Sequence, residues 1–96
     1  MAIVGVYKIV APSGEVFIGS SIDIETRWSY YKRLWAKSKS RLYHSFKTHG
    51  VENHIFEIVE ECTVEELRNR EYEVYREYKN SGCRMLNVVI PPITNI

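Results

Sequence analysis

The sequence predicts an α/β fold in which a small antiparallel or mixed three-stranded sheet is flanked by helices, in the order β-β-α-α-β-α. Two short segments rich in β-branched residues, 3–10 and 16–20, flank turn chemistry at Pro12-Ser13-Gly14. An alternating segment at 54–60 precedes a capped helix, and apolar residues at helical spacing fill the interval after the hairpin. A hairpin at the start implies an antiparallel strand pair, so the sheet is not doubly wound.

Length and composition limit the protein to one domain. The 96 residues, of which 45% are hydrophobic, allow one modest core. No apolar run is long enough to span a bilayer, and the N-terminus does not resemble a signal peptide, so we expect no membrane partner. With no sign of export, Cys62 and Cys83 are interpreted as reduced thiols in a cytosolic protein.

Charge is unevenly distributed although the net charge is only +1. Residues 27–51 include seven lysines and arginines and no acidic residue, whereas residues 52–79 include nine glutamates. A basic sector of this kind suits a phosphate-rich partner on one side of the molecule. Taken alone, it is equally consistent with a solvated charged surface.

The first hairpin brings a tyrosine and two glycines to one face of the sheet. A turn centred on Ser13 places Tyr7 across from Gly19 and Ile9 across from Phe17, and Gly5 shares their face. Glycine inside a strand often marks the close approach of a ligand or another backbone, so we expect a shallow depression holding a phenol. The alternatives are a bulge and a tightly packed helix crossing.

Two helices are predicted after the hairpin. The first begins at Ser21-Ile22-Asp23 and runs to about Ser38, and the second covers roughly residues 40–49 before Gly50. Arg27 and Tyr31 are four residues apart on the first helix, so they share a side at the edge of its apolar stripe.

The last predicted helix contains an unexpected carboxylate. Thr63 and Glu66 form a capping box that opens a helix to about residue 80, where Ser81-Gly82 ends it. Glu71 occupies a position within the apolar stripe of this helix, so its carboxylate must be paired, bound to a metal, or placed at the edge of the stripe. An extended segment at 85–90 containing Asn87 follows.

In this order the residues resemble the GIY-YIG nuclease family. The first motif corresponds to Gly5-Val6-Tyr7 and the second to Phe17-Ile18-Gly19. The remaining family positions correspond to Arg27, Tyr31, Glu71 and Asn87. The resemblance covers about residues 3–90; we therefore predict a nuclease domain over 1–90 and a C-terminal tail or the start of a linker at 91–96.

The resemblance implies a DNA endonuclease that hydrolyses a phosphodiester one strand at a time with Mg²⁺ or Mn²⁺. Residues 42–50 are similar to the nuclease domains of phage or intron-encoded homing endonucleases, in which a linker leads to a separate DNA-binding domain. We expect a monomer or weak dimer in the cytoplasm of a phage-infected or bacterial cell, with no small-molecule cofactor.

The same resemblance assigns roles to individual residues. Glu71 would bind the metal, Arg27 the phosphate, and Tyr7 would act as general base or position the water. Since the ordinary pKa of tyrosine is about 10, a general base at Tyr7 requires nearby cations to lower its pKa. Tyr31 and Asn87 would assist by hydrogen bonding. The expected substrate-binding positions are Gly5, Phe17, Gly19, Lys37 and His44.

Two positions depart from the family pattern. The second motif usually begins with tyrosine, and Phe17 lacks that hydroxyl group; Lys37 stands where some homing relatives carry histidine. Phe17 supports an alternative reading, a catalytically weak or inactive relative that binds DNA. A purely structural or protein-binding domain is the third reading, and Glu71 in an apolar stripe argues against it.

Overall fold

A computed structural model of the chain describes residues 2–34 and 41–86. The elements occur in the predicted order: strands β1 (Gly5–Val10) and β2 (Val16–Ser21), helices α1 (Ile24–Leu34) and α2 (Arg41–His49), strand β3 (Ile55–Glu61) and helix α3 (Leu67–Asn80). A short 3₁₀ turn, Val51–Asn53, separates α2 from β3. No helix in the described ranges is both long enough and apolar enough to span a bilayer.

The sheet is antiparallel with the strand order β2-β1-β3. The predicted hairpin register is confirmed, because Tyr7 pairs with Gly19 and Ile9 with Phe17. On the other side of β1, the register shifts between Val6 and Tyr7, which leaves one extra residue in β3.

Gly5 lies beside this bulge. A Cβ atom at Gly5 would collide with the backbone carbonyl oxygen of Glu60, so the close backbone approach requires a residue without a side chain.

Hydrophobic clusters lie on both faces of the sheet. On the face that carries Tyr7 and Ile9, buried side chains from α1 and α2 complete the core. On the opposite face Val6 and Ile18 pack against Val74 of α3. The sheet is therefore sandwiched, and β2 contributes side chains to both halves.

Helix ends follow the local chemistry of the sequence. Asp23 accepts a hydrogen bond from the backbone N–H of Thr26 at 3.2 Å, which caps α1. The capping box between Thr63 and Glu66 is present, with reciprocal bonds of 3.2 and 3.3 Å, although regular helix begins only at Leu67. Gly82, which follows the C-cap residue Ser81 of α3, adopts a φ of 98°.

The chain after α3 returns along β2. Met85 forms a parallel bridge with Val16, and the N–H of Leu86 donates to the carbonyl of Val16 at 2.7 Å. This bridge marks the beginning of the predicted extended segment. Asn87, the rest of that segment and the tail at 91–96 lie outside the described residues, as does Lys37.

Candidate active site

Tyr7 is buried at the centre of the candidate site. Its side chain is 1% exposed, and the ring lies edge-on to Trp28 with a centroid distance of 5.9 Å. A Cβ atom at Gly19 would lie 2.6 Å from both Cζ and Oη of Tyr7, so only glycine leaves room for this ring. The predicted shallow depression is therefore wrong, since Trp28 and Tyr31 pack against the Tyr7 ring and bury it.

The hydroxyl group of Tyr7 is bonded to that of Tyr31, with 2.8 Å between the two oxygens. Tyr31 lies on α1, one turn after Arg27, so the helix brings the predicted arginine and tyrosine to the same side. Arg27 is exposed, and its guanidinium lies close enough to the hydroxyl groups of Tyr31 and Tyr7 for them to raise its pKa. Three of the predicted catalytic residues thus lie together.

Burial dominates the acidity of this group. It raises the pKa of Tyr7 far above its ordinary value, and Tyr31 and the negative charge of Glu71 act in the same direction. Arg27 acts to lower the pKa of Tyr7, as expected for a nearby cation, but its effect is outweighed. For Arg27 itself burial acts to lower the pKa, while the two tyrosine hydroxyl groups raise it, and the net change is upward. Tyr7 is consequently a neutral phenol at physiological pH in this structure.

Glu71 is half-buried on α3 and its carboxylate is paired. The hydroxyl of Ser20 donates to Oε1 of Glu71 at 2.5 Å, which explains how the stripe of α3 accommodates a carboxylate. Ser20 follows Gly19 in β2, so the two residues face opposite sides of the sheet. Strand β2 therefore connects the tyrosine pair on one face with Glu71 on the other.

The side chains around Glu71 fit the Mg²⁺ or Mn²⁺ that the family resemblance implies. Across residues 2–34 and 41–86 no three His, Cys, Asp or Glu side chains are grouped so as to enclose a metal ion. Within these ranges the Oε2 atom of Glu71 accepts no hydrogen bond and joins no ion pair. Mg²⁺ commonly binds through one or two carboxylates and takes its other ligands from water and substrate phosphates, so Glu71 fits such an ion.

A groove of about 650 Å³ opens beside the tyrosine pair, between β2, α1 and α2. Arg27 and Tyr31 line it together with Tyr30, Tyr43 and Phe17. Phe17 lies edge-on to Tyr31 with a centroid distance of 6.5 Å. The hydroxyl group that Phe17 lacks would therefore belong to the groove wall, and the Tyr7–Tyr31 hydrogen bond forms without it.

The other predicted site residues have different positions. Gly5 packs against the backbone of β3, and His44 is exposed on α2 and does not line the groove. Lys37 and Asn87 lie outside the described residues.

Sequence reasoning missed three residues at this site: Ser20, Tyr30 and Tyr43. A signal for Ser20 was available, because a carboxylate in an apolar stripe requires a partner and Ser20 alternates with Gly19 on β2.

The sequence and the fold of the chain both match known proteins. The family model described as the GIY-YIG catalytic domain matches residues 3–84. None of the curated proteins compared with the chain matches it. Among solved structures, the chain is similar to a mutant form of the catalytic domain of the intron endonuclease I-TevI, with 26% sequence identity and a TM-score of 0.77. The match covers 94% of this chain and 97% of that domain.

Proposed function

The chain belongs to the GIY-YIG nuclease family, and from this premise we propose that it is a divalent-metal-dependent DNA endonuclease that hydrolyses one strand at a time. The observation that carries the proposal is the hydrogen-bonded pair of Tyr7 and Tyr31 beside Arg27, with the carboxylate of Glu71 held on the other side of β2. Together these residues supply a cation for phosphate, ordered hydroxyl groups and a ligand for a metal ion.

We assign to Arg27 the role of binding the scissile phosphate. Its guanidinium is exposed at the wall of the groove and remains charged at any working pH. The planar fork of arginine matches two phosphate oxygens at once, which fixes the orientation of the phosphate as well as its position. The nearby tyrosine hydroxyl groups raise the pKa of Arg27 and so favour its charged form.

We assign to Glu71 the role of binding the metal ion. A cation bound there would act as a Lewis acid that polarises a phosphate oxygen and balances charge developing during hydrolysis. Because one carboxylate supplies a single protein ligand, we expect weak metal binding without DNA and tighter binding once phosphate oxygens complete the site.

We assign to Tyr7 and Tyr31 the role of orienting the attacking water. Tyr31 lines the groove and Tyr7 lies behind it, bonded to its hydroxyl group. The raised pKa of Tyr7 supports a positioning role over a general-base role, because a neutral phenol donates or accepts a hydrogen bond without removing a proton. We expect Asn87 to assist by hydrogen bonding and Lys37 to contact the substrate.

The flanking DNA would follow the groove and the basic sector. Exposed Lys32 and Arg33 on α1 and Lys47 on α2 suit phosphate contacts that carry little sequence information. One Arg27 and one Glu71 per chain imply that each binding event cuts one strand.

The second candidate function is a DNA-binding relative with weak or no activity, which Phe17 supports. The phenyl ring of Phe17 occupies the groove wall, while the hydrogen bond between Tyr31 and Tyr7 is complete without a hydroxyl group at position 17. This observation favours the active enzyme.

The test is nicking of supercoiled plasmid with Mg²⁺ or Mn²⁺, with and without a chelator. The proposal expects metal-dependent nicking by the wild type and none by Glu71→Ala. Glu77→Ala is the matched control, since Glu77 is exposed on the same helix and lies apart from Ser20. Full nicking by Glu71→Ala would contradict the assignment of the metal, and binding without nicking by the wild type would support the second candidate.

A further inference from the structure

The hydrogen bond between Ser20 and Glu71 joins two elements that are distant in sequence. The hydroxyl of Ser20 donates to Oε1 of Glu71 at 2.5 Å, across 51 residues of chain. A carboxylate only accepts hydrogen bonds, so the serine must be the donor. The adjacent Ser21 acts differently: its oxygen accepts the backbone N–H of Asp23 at 2.9 Å and belongs to the turn before α1.

Both partners are attached to well-anchored backbone. Ser20 lies in β2 and pairs with Val6 of β1. Helix α3 is held against this face of the sheet by Val74, which packs with Val6 and Ile18. The glutamate side chain itself still has three rotatable bonds. The hydrogen bond from the serine hydroxyl can therefore select one orientation of the carboxylate.

The bond also distinguishes the two carboxylate oxygens. Oε1 accepts the hydrogen bond of the serine hydroxyl, whereas Oε2 has no hydrogen bond or ion pair within residues 2–34 and 41–86. No second acidic or histidine ligand in these ranges joins Glu71 in a metal-binding group. When a protein supplies a single ligand to a metal ion, no second protein ligand compensates for a wrong orientation of the first.

We propose that Ser20 is a positioning residue that occupies Oε1 of Glu71 and presents Oε2 as a single-oxygen ligand to the divalent cation. The inference rests on the proposed function, in which Glu71 binds the metal ion. Ser20 acts through Glu71 and has no contact with the reacting phosphate of its own. The competing explanation is that the bond simply fastens α3 to β2.

Binding of Mn²⁺ in the absence of DNA separates these explanations. Electron paramagnetic resonance of free Mn²⁺ measures binding to the full chain without any need for catalysis. We expect Ser20→Ala to weaken Glu71-dependent binding about 10-fold or more, as is typical for loss of a hydrogen bond to a metal ligand. We expect Ser20→Thr to keep affinity within about twofold, because it retains the hydroxyl group and β-branched residues suit strands.

Ser13→Ala is a matched control. Ser13 donates to Oε1 of Glu15 at 3.1 Å in the exposed turn between β1 and β2, so the same type of bond is removed far from α3. Its Mn²⁺ affinity should equal that of the wild type. If Ser20→Ala does not fold, judged by circular dichroism, Ser20→Cys replaces it, because a thiol has similar volume and is a weak donor.

Nicking assays give the second readout. Ser20→Ala should raise the metal concentration needed for half-maximal nicking while leaving the KM for plasmid at saturating metal unchanged, and Ser20→Thr should restore the wild-type value. Unchanged Mn²⁺ affinity in Ser20→Ala, even with a lower melting temperature, would show that the bond only fastens the helix, and the proposal would be wrong.

The outcomes for Ser20 and for the nuclease are distinguishable. In one outcome, Ser20→Ala weakens Glu71-dependent Mn²⁺ binding but the wild type never nicks DNA. This result would support the role of Ser20 and overturn the proposed function. Metal-dependent nicking with Mn²⁺ binding that does not depend on Glu71 would overturn the role of Ser20 and leave the nuclease intact.

Discussion

Gly19 makes room for Tyr7, because a Cβ atom at position 19 would lie 2.6 Å from both Cζ and Oη of the tyrosine ring. The two residues face each other in the hairpin register, so neither backbone can move away without disturbing the β1–β2 pairing. The glycine of the second motif thus has a steric role at the site. It allows a buried phenol to reach Tyr31 beneath the groove wall.

Gly19→Ala should therefore displace the ring and break its bond with Tyr31. Overpacking of this kind costs about 1–3 kcal/mol of unfolding free energy. A displacement near 1 Å at a catalytic site reduces rate by about 100-fold, and we expect at least that loss in nicking. Urea unfolding and plasmid nicking measure the two effects.

A double-mutant cycle provides the control for this prediction. In a Tyr7→Leu background the clashing Cζ and Oη atoms are absent, so Gly19→Ala should destabilise the chain less than it does in the wild type. Equal costs in the two backgrounds would contradict the steric explanation.

Tyr7 should make the protein sensitive to alkali. Burial raises its pKa above the unfolded value of about 10, so the folded state favours the neutral phenol. Its contribution to stability is complete below about pH 10 and is lost as the pH rises from there towards the folded pKa. Unfolding free energy should fall more steeply between about pH 10 and 11 in the wild type than in Tyr7→Phe, which cannot ionise.

Chemical denaturation at fixed pH steps checks this prediction, with tyrosinate absorbance recorded in parallel. Tyr75→Phe controls for loss of a phenol, because Tyr75 is only partly buried, on the opposite side of the sheet. If unfolding free energy depends on pH in the same way in the wild type and in Tyr7→Phe, burial does not raise the pKa of Tyr7 and the prediction is wrong.

Much of this site was predictable because it depends on local sequence chemistry. The register of the hairpin followed from one turn, and the spacing of four residues placed Arg27 and Tyr31 together on α1. The capping box at Thr63 located the helix that carries Glu71, although it missed the regular start at Leu67 by a few residues.

The remaining features depend on how the elements pack. The covered phenol of Tyr7 requires Trp28 and Tyr31 to fold over the sheet, which no strand pattern reveals. The partner of Glu71 depends on the angle at which α3 crosses β2. Burial is also the reason that the pKa of Tyr7 moved against the direction expected from its charged neighbour, because the cost of placing a charge in the core exceeded the attraction of Arg27.

His54 should make the protein sensitive to mild acid. The side chain is 6% exposed; its Nδ1 atom lies 2.9 Å from the carbonyl oxygen of Gly50 and its Nε2 atom 2.8 Å from the hydroxyl of Ser45. The carbonyl only accepts, so Nδ1 carries the proton and Nε2 accepts from the serine. Burial lowers the pKa of His54; the Gly50 carbonyl and Glu52 oppose this change, and His49 adds to it.

The lowered pKa of His54 makes the folded state less stable in mild acid. Since the folded pKa lies below the unfolded value of about 6.5, the unfolded chain binds the proton first and stability decreases as the pH falls below about 6.5. The loss is about 1.4 kcal/mol for each unit by which the pKa is lowered. His54→Gln should be less stable at pH 8 by about 1–3 kcal/mol, through lost hydrogen bonds, and should show a flatter profile below pH 6.5. His44→Gln, at an exposed position on α2, should follow the wild type throughout; a wild-type profile that is flat from pH 7 to 5 would contradict the prediction.

Phe17→Tyr restores the hydroxyl group that is typical of the second motif. The phenyl ring is half-buried in the groove wall, edge-on to Tyr31, and the bond between Tyr31 and Tyr7 already exists without it. We therefore expect the substitution to change unfolding free energy by less than about 0.5 kcal/mol. The nicking rate should change by less than about 10-fold, which corresponds to less than about 1.4 kcal/mol of transition-state stabilisation. Phe56→Tyr serves as the control for adding a phenol at a partly buried phenylalanine outside the groove. Nicking by Phe17→Tyr from an inactive wild type would show that the hydroxyl group is essential and that this chain has kept the architecture of a nuclease without its activity.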